Sequence, residues 1–193
     1  MNEETQSGHV TPYGNATAAR AAIMAATGVD EQTAEKMREA ARSFTGSGYT
    51  SIRHAETGTL HTSPESLQSY REQADHLEAY LQLAPKWAGG TTYRGLRNTK
   101  GADGVPKVGE TISMRGTSSW STSKETAKSF SSKGWDGEKL IFVSETQRRG
   151  SSITGLSKFG TSESEVLVSM HSSYRVDKLT KRGSYTYVYV TEL

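Results

Sequence analysis

Residues 163–170, Glu-Ser-Glu-Val-Leu-Val-Ser-Met, decide how this chain is read. A Val-Leu-Val run behind a polar start suits a pleated, buried strand. The period of two then puts Glu163 and Glu165 on one face with Ser164 between them. Two carboxylates that close repel, so the pKa of at least one should rise unless a cation stands beside them. Such a pair suits chemistry in which one carboxylate stabilises a cationic, sugar-like transition state and the other handles a proton. A solvated strand start is the plain alternative.

Working outward, Leu140–Val143 is a buried-type run, and Tyr185–Val190 (Tyr-Thr-Tyr-Val-Tyr-Val) is strongly strand-like. Thr91–Arg94 is a shorter run closed by Gly95, while 111–116 and 117–123 alternate Thr, Ser, Met and Trp around Gly116. Turn signals separate these runs at Asp103-Gly104, Lys133-Gly134, Asp136-Gly137, Arg149-Gly150 and Arg182-Gly183. Lys124–Ser131 reads as one or two helical turns. Upstream of about residue 88 the pattern is helical. An Ala-rich segment over 16–27 ends at Gly28, and Asp30 opens a second helix with Arg38 and Arg42 late in it. Ser63, Pro64 and Glu65 start a third, carrying Leu67, Tyr70, Leu77, Tyr80, Leu81 and Leu83 until Pro85 stops it. Helices followed by strands predict an α+β fold. One domain spans 16–193, with a helical part (16–88) and a β-rich part (89–193), behind a flexible tail at 1–15.

Composition narrows the function. The chain has 193 residues, only 33% of them hydrophobic, with 25 Ser, 23 Thr and 19 Gly. No apolar run approaches the roughly 18 residues of a membrane span, and Met1–Val10 lacks the basic start and apolar stretch of a secretory signal. A soluble protein with no membrane partner is expected. There is no cysteine, and the five histidines (9, 54, 61, 76, 171) show no metal-ligand spacing, so no metal is expected. Lys plus Arg is 23 against 21 Asp plus Glu, interspersed, which gives no basic stripe for nucleic acid. No Walker-type loop occurs, and Thr45-Gly46-Ser47-Gly48 follows a helix, as a turn would.

Two further groups bear chemistry. Ser121-Thr122-Ser123 follows Trp120 at the end of a strand-like run, where hydroxyls either orient a carboxylate or cap the following helix. Arg94 ends another run, its guanidinium fork suited to phosphate, and Gly95 beside it would let a ligand approach the backbone.

In order, Tyr93-Arg94-Gly95, Ser121-Thr122-Ser123 and Glu163-Ser164-Glu165 match the Arg / Ser-Thr-Ser / Glu-x-Glu signature. The chain therefore resembles the bacterial-exotoxin class of mono-ADP-ribosyltransferases, the clan of clostridial actin-modifying toxins and related phage enzymes. The resemblance covers roughly residues 35–190. Phe44–Ile52 resembles the family's Tyr-Thr-x-x-x-Tyr-x-x-Ile-Asn element, with Phe44 in place of the first Tyr and Arg53 in place of the Asn. Ser152–Phe159 resembles the strand and acceptor-recognition loop that lead into Glu-x-Glu.

The resemblance implies a helical part packed on two small sheets that flank an NAD cleft. It implies cleavage of the nicotinamide–ribose bond of NAD, the co-substrate, and transfer of ADP-ribose to a target protein. Arg94 would bind the NAD phosphates and Gly95 the nicotinamide amide. Ser121 would orient Glu165, while Thr122 and Ser123 shape the nicotinamide pocket. Glu165 would accept from the ribose 2′-hydroxyl and stabilise the developing cation, as Glu163 helps deprotonate the acceptor. Glu at position 163 marks arginine as that acceptor. Tyr49 and Arg53 would lie at the adenosine end, and Arg148 or Arg149 would supply a second phosphate arginine. Phe159 would touch the target or anchor its loop. The protein implied is a monomeric toxin or phage-encoded effector acting in the cytoplasm of a target or host cell. The same residues leave room for an NAD glycohydrolase or a non-catalytic, phage head-associated module.

Overall fold

The computed structural model describes residues 15–98, 104–133, 137–153, 155–157 and 164–193. Of the expected site residues, Glu163 and Phe159 lie outside these, as does all of the N-terminal tail but Asn15.

The helical part forms where its caps predict. Asn15 accepts from the Ala18 N–H to open α1 (Ala16–Thr27), which Gly28 closes. Asp30 caps α2 (Glu31–Phe44) through the Thr33 N–H, and Ser63 with Pro64 starts α4 (Pro64–Leu83). Between them, a tight turn leads into α3 (Tyr49–Glu56). The amphipathic faces of α1, α2 and α4 bury Ile23, Met37, Phe44, Leu77 and Leu81 together. Burying side chains of this size stabilises the fold by about 1.5–3 kcal/mol each.

The β part comprises β1 (Thr92–Asn98), β2 (Thr111–Ser113), β3 (Ser118–Ser121), β4 (Glu138–Ser144), β5 (Gly150–Ser152), β6 (Glu165–Val168), β7 (Ser173–Arg182) and β8 (Tyr185–Glu192), with α5 (Lys124–Ser132) inserted after β3. Sequence patterning finds most of these but not β7, whose polar outer positions hide the alternation of buried Tyr174 and Val176.

The strands run in the order β2-β7-β8-β4-β1-β3-β6-β5, with only β4 and β8 parallel. The two expected sheets are thus halves of one sheet. They meet at a single Cα pairing, Tyr93 with Ser121, between β1 and β3. So thin a seam lets the halves turn face to face. Trp120, Val166 and Val168 of the small half pack against Tyr174, Phe142 and Val188 of the large one, the Trp120 and Tyr174 rings 5.4 Å apart. The helical part covers the other face of the small half through Ile153 and Leu167. Helix α5 covers the outer face of the large half, with Ala127 against Ile141, Val143 and Tyr187. Both faces of β4 are therefore buried, which is why its apolar residues run on without alternating.

Candidate active site

The seam where β1 meets β3 opens into a cleft of about 520 Å³. Its walls are the α2–α3 turn (Phe44, Thr45, Gly46, Tyr49), β1 (Tyr93–Leu96), β3 (Ser119–Ser121), α5 and Glu165. Tyr93, Arg94, Gly95, Ser121 and Glu165 of the sequence signature thus line one cavity, while Thr122 and Ser123 stand just behind its wall at the start of α5 and Glu163 lies outside the described residues.

Glu165 is the first residue of β6 and is only 4% exposed. Its register partner is Ser121, so the two side chains leave the sheet on the same face. Ser164 before it takes φ 44, a left-handed conformation uncommon for a non-glycine residue, and its carbonyl accepts from the Thr122 N–H at 3.2 Å. That bond extends the β3–β6 pairing by one step and brings Ser121-Thr122-Ser123 alongside the carboxylate. Ser119, two residues back on the same face as Ser121, donates its hydroxyl to Glu165 Oε1. Ser121 Oγ accepts from the Ser123 N–H at 3.0 Å, and Ser123 caps α5 through the Thr126 N–H. Within Ser121-Thr122-Ser123 these bonds are capping ones, and the hydroxyl that bonds the carboxylate is that of Ser119.

Arg94 is 6% exposed. Its Nη1 donates to the Ser119 carbonyl at 2.6 Å and its Nη2 to the Tyr49 hydroxyl at 3.2 Å, while its buried Nε has no partner. Among the described residues no carboxylate pairs with this guanidinium. A buried guanidinium is costly unless negative charge meets it, so this wall of the cleft suits an anionic group.

Tyr49 stands between two guanidiniums, also accepting from Arg53 Nη1 at 3.1 Å. Burial pushes its phenol pKa up, but the charges of Arg94 and Arg53 outweigh burial and hold it below the ordinary value of 10.0. Arg53 does not line the cleft. Burial lowers its own pKa, and its Nη2 donates to the Met114 and Arg115 carbonyls, tying α3 to the approach to β3. Next to it Glu56 accepts from both the N–H and hydroxyl of Thr117, with burial raising its pKa despite those bonds. Gly116 is favoured there by its φ of 99, a backbone conformation that side-chain-bearing residues rarely adopt.

Gly95 lines the cleft, and packing requires it as well: a Cβ on it would fall 1.7 Å from the Ala127 carbonyl oxygen, so its absence lets α5 lie on β1. Arg148 and Arg149 do not line the cleft. In the β4–β5 turn Arg148 donates its backbone N–H to Glu192, and Arg149 donates its guanidinium to the His171 carbonyl at 2.6 Å. Lys133, past the end of α5, is the other cation on the cleft wall among the described residues. Sequence reasoning also missed Ser119 and Glu56. Strand alternation through Ser121 would have found Ser119; nothing local marks Glu56, whose partner is 61 residues away.

No family model matches the chain, and no curated protein matches it in sequence. Its shape does find relatives: the chain has the fold of the mono-ADP-ribosyltransferase toxins. The Vis toxin, an ADP-ribosyltransferase from Vibrio splendidus, in its complex with agmatine, is 21% identical with a TM-score of 0.70, over 94% of this chain and 84% of that one. Exoenzyme S from Pseudomonas aeruginosa, bound to carba-NAD and human 14-3-3 protein beta, is 18% identical with a TM-score of 0.64, over 81% and 73%. A mutant of the eukaryotic mono-ADP-ribosyltransferase ART2.2 in complex with NAD is 21% identical with a TM-score of 0.59, over 92% and 74%. Among the described residues no helix is long and apolar enough to cross a membrane, and no three His, Asp or Glu could hold a metal ion.

Proposed function

We propose that this chain is an NAD-dependent mono-ADP-ribosyltransferase whose acceptor is an arginine of a target protein. The observation that carries the reading is the buried guanidinium of Arg94, with which no carboxylate pairs among the described residues, in the same cleft as the buried carboxylate of Glu165. One asks for an anion and the other for a developing cation, as a dinucleotide cleaved at its ribose provides. Structures of the same fold with NAD, carba-NAD and the guanidine agmatine bound support the choice of donor and acceptor.

In this reading Arg94 takes the diphosphate, with Lys133 a second cation on the wall. Backbone at Gly95 meets the nicotinamide amide, and Thr122 and Ser123 shape that end of the pocket. Tyr49 lines the adenosine end, with Arg53 supporting it. Glu165, oriented with Ser121, accepts from the ribose 2′-hydroxyl. The N-glycosidic bond breaks, nicotinamide leaves with the bonding electron pair as a neutral base, and Glu165 stabilises the oxocarbenium left on the sugar. A guanidinium nitrogen of the acceptor forms the new bond to C1′ and gives its proton to Glu163. Residues 16–193 act as one domain, and an effector or toxin acting inside a target cell is the role this chemistry fits.

The test incubates labelled NAD and a cell lysate with the wild type, Glu165→Gln and Glu163→Gln. Label on protein, located by mass spectrometry on arginine, should be lost in both variants. Nicotinamide release should survive only in Glu163→Gln. Nicotinamide release by the wild type with no labelled protein in any lysate would overturn transfer in favour of hydrolysis.

A further inference from the structure

Arg94 and Glu165 belong to strands that do not touch: β1 pairs with β4 and β3, and β6 with β3 and β5. Only β3 lies between them, and one of its residues reaches both. The Ser119 carbonyl accepts from Arg94 Nη1 at 2.6 Å, and its hydroxyl donates to Glu165 Oε1. We propose that Ser119 is a positioning residue that fixes the phosphate-binding guanidinium and the catalytic carboxylate relative to each other, a proposal that rests on the function above.

Its neighbours hold it in place. Ser118 and Trp120 point to the opposite face, where the Trp120 indole N–H donates to Ser118 Oγ at 3.0 Å and the ring packs on Tyr174. With Trp120 anchored in the core, β3 cannot roll, and Ser119 is held on the cleft side. Its register partner is Leu167, two residues past Glu165, so its hydroxyl meets the carboxylate on the diagonal. A donor on the carboxylate keeps it ionised and aimed. Side chain and backbone of Ser119 thus have separable tasks. Removing the hydroxyl frees one bond to Glu165 but leaves the carbonyl on Arg94.

That separation makes the test specific. In steady-state nicotinamide release, Ser119→Ala should lower kcat about 10- to 100-fold and leave KM for NAD within about threefold. Ser119→Thr, which keeps a hydroxyl, should recover kcat to within about threefold. A Ser119→Ala enzyme with unchanged kcat, or one whose kcat is not recovered by Thr, would overturn the proposal. A second measurement needs no turnover: a carboxyl ¹³C NMR titration of Glu165 in the intact protein. Loss of a donor to the carboxylate should make Glu165 titrate higher in Ser119→Ala than in wild type. The groups that face it from β1 and α3, Arg94 and Tyr49, are the same in both proteins, and so is Glu163. An inactive wild type with this shift present would refute the function and keep the contact; an active wild type without the shift would refute the role of Ser119 alone.

Discussion

The large half of the sheet and the small half are both β, for opposite reasons. The central strands of the large half run 7 to 10 residues, and β4 and β8 among them are built largely from Val, Ile, Leu, Phe and Tyr, side chains that favour a pleated, half-buried surface. Those of the small half run 3 or 4 residues and are largely Ser and Gly: Ser118, Ser119, Ser121, Gly150, Ser151, Ser152. Such residues do not favour strands. They are held there because Trp120, Val166 and Val168 pack on one side and Leu167 on the other. Hydroxyls in so enclosed a place call for partners: those of Ser118, Ser119 and Ser121 bond the Trp120 indole, the Glu165 carboxylate and the start of α5, while the buried Ser151 hydroxyl has none among the described residues. The large half is a scaffold. The small half borrows its stability and spends its side chains on the cleft.

Dependence of one half on the other is tested most severely at their shared core. Trp120→Ala should cost about 3–5 kcal/mol in chemical denaturation and take activity with it. Ile141→Val, in the scaffold alone, should cost about 0.5–1.5 kcal/mol and leave activity near wild type. Equal losses from the two changes would show that the halves do not differ in this way. Next in size, Glu165→Gln should lower ADP-ribosyl transfer about 10²- to 10³-fold while the melting temperature stays level or rises, since a buried carboxylate kept for chemistry strains the fold that carries it. A large fall in melting temperature would make Glu165 a structural member of the small half.

The same contrast explains what was legible in the sequence. The scaffold strands announce themselves at Leu140–Val143 and Tyr185–Val190, because burial on both faces or on alternate positions leaves a periodic trace. The small half is legible at Glu165–Val168 and, through Trp120 alone, in the run that holds β3; β5 is a strand by context, since Ser and Gly carry no periodic apolar signal. In the site, short motifs gave Arg94, Ser121 and Glu165 because each lies at a strand position the order of elements preserves. They do not mark Ser119, which lies outside every motif and is reached only by carrying the alternation of β3 back from Ser121. They also misplaced Arg148 and Arg149, because their position follows from a turn and from the buried Glu192 carboxylate, which accepts their backbone N–H groups.

At the seam itself the contrast is sharpened by Gly95→Ala. The added methyl would meet backbone, not a side chain that can swing aside, so α5 must lift from β1. Overpacking of this kind costs about 1–3 kcal/mol, and here should sit at the upper end in urea unfolding. An unchanged midpoint would mean that α5 and the scaffold separate freely, and that Gly95 serves a ligand alone.

The smallest effect belongs to Tyr49→Phe, which leaves the packing of the ring on Phe44, 5.0 Å between centroids, and removes one oxygen. That oxygen accepts from both Arg94 and Arg53, so the loss should cost about 0.5–1.5 kcal/mol at neutral pH and raise KM for NAD a few-fold as Arg94 loses a restraint. The pH dependence has a definite sign. Burial alone would raise the phenol pKa, but the two guanidiniums hold it below 10.0 in the folded protein. A depressed acid stabilises the fold only where it is ionised, so this term is absent at neutral pH and grows as pH climbs through the folded value to the unfolded one. The stability gap between wild type and variant should therefore be flat from about pH 6 to 8 and widen towards pH 10. Ultraviolet titration supplies the direct check: one tyrosine should ionise ahead of the rest in wild type and vanish in the variant, while Tyr80, pushed up to about 12 by burial, ionises late in both. If the same early tyrosine persists in Tyr49→Phe, the paired arginines do not act on Tyr49, and the cleft-side charge of Arg94 is balanced elsewhere.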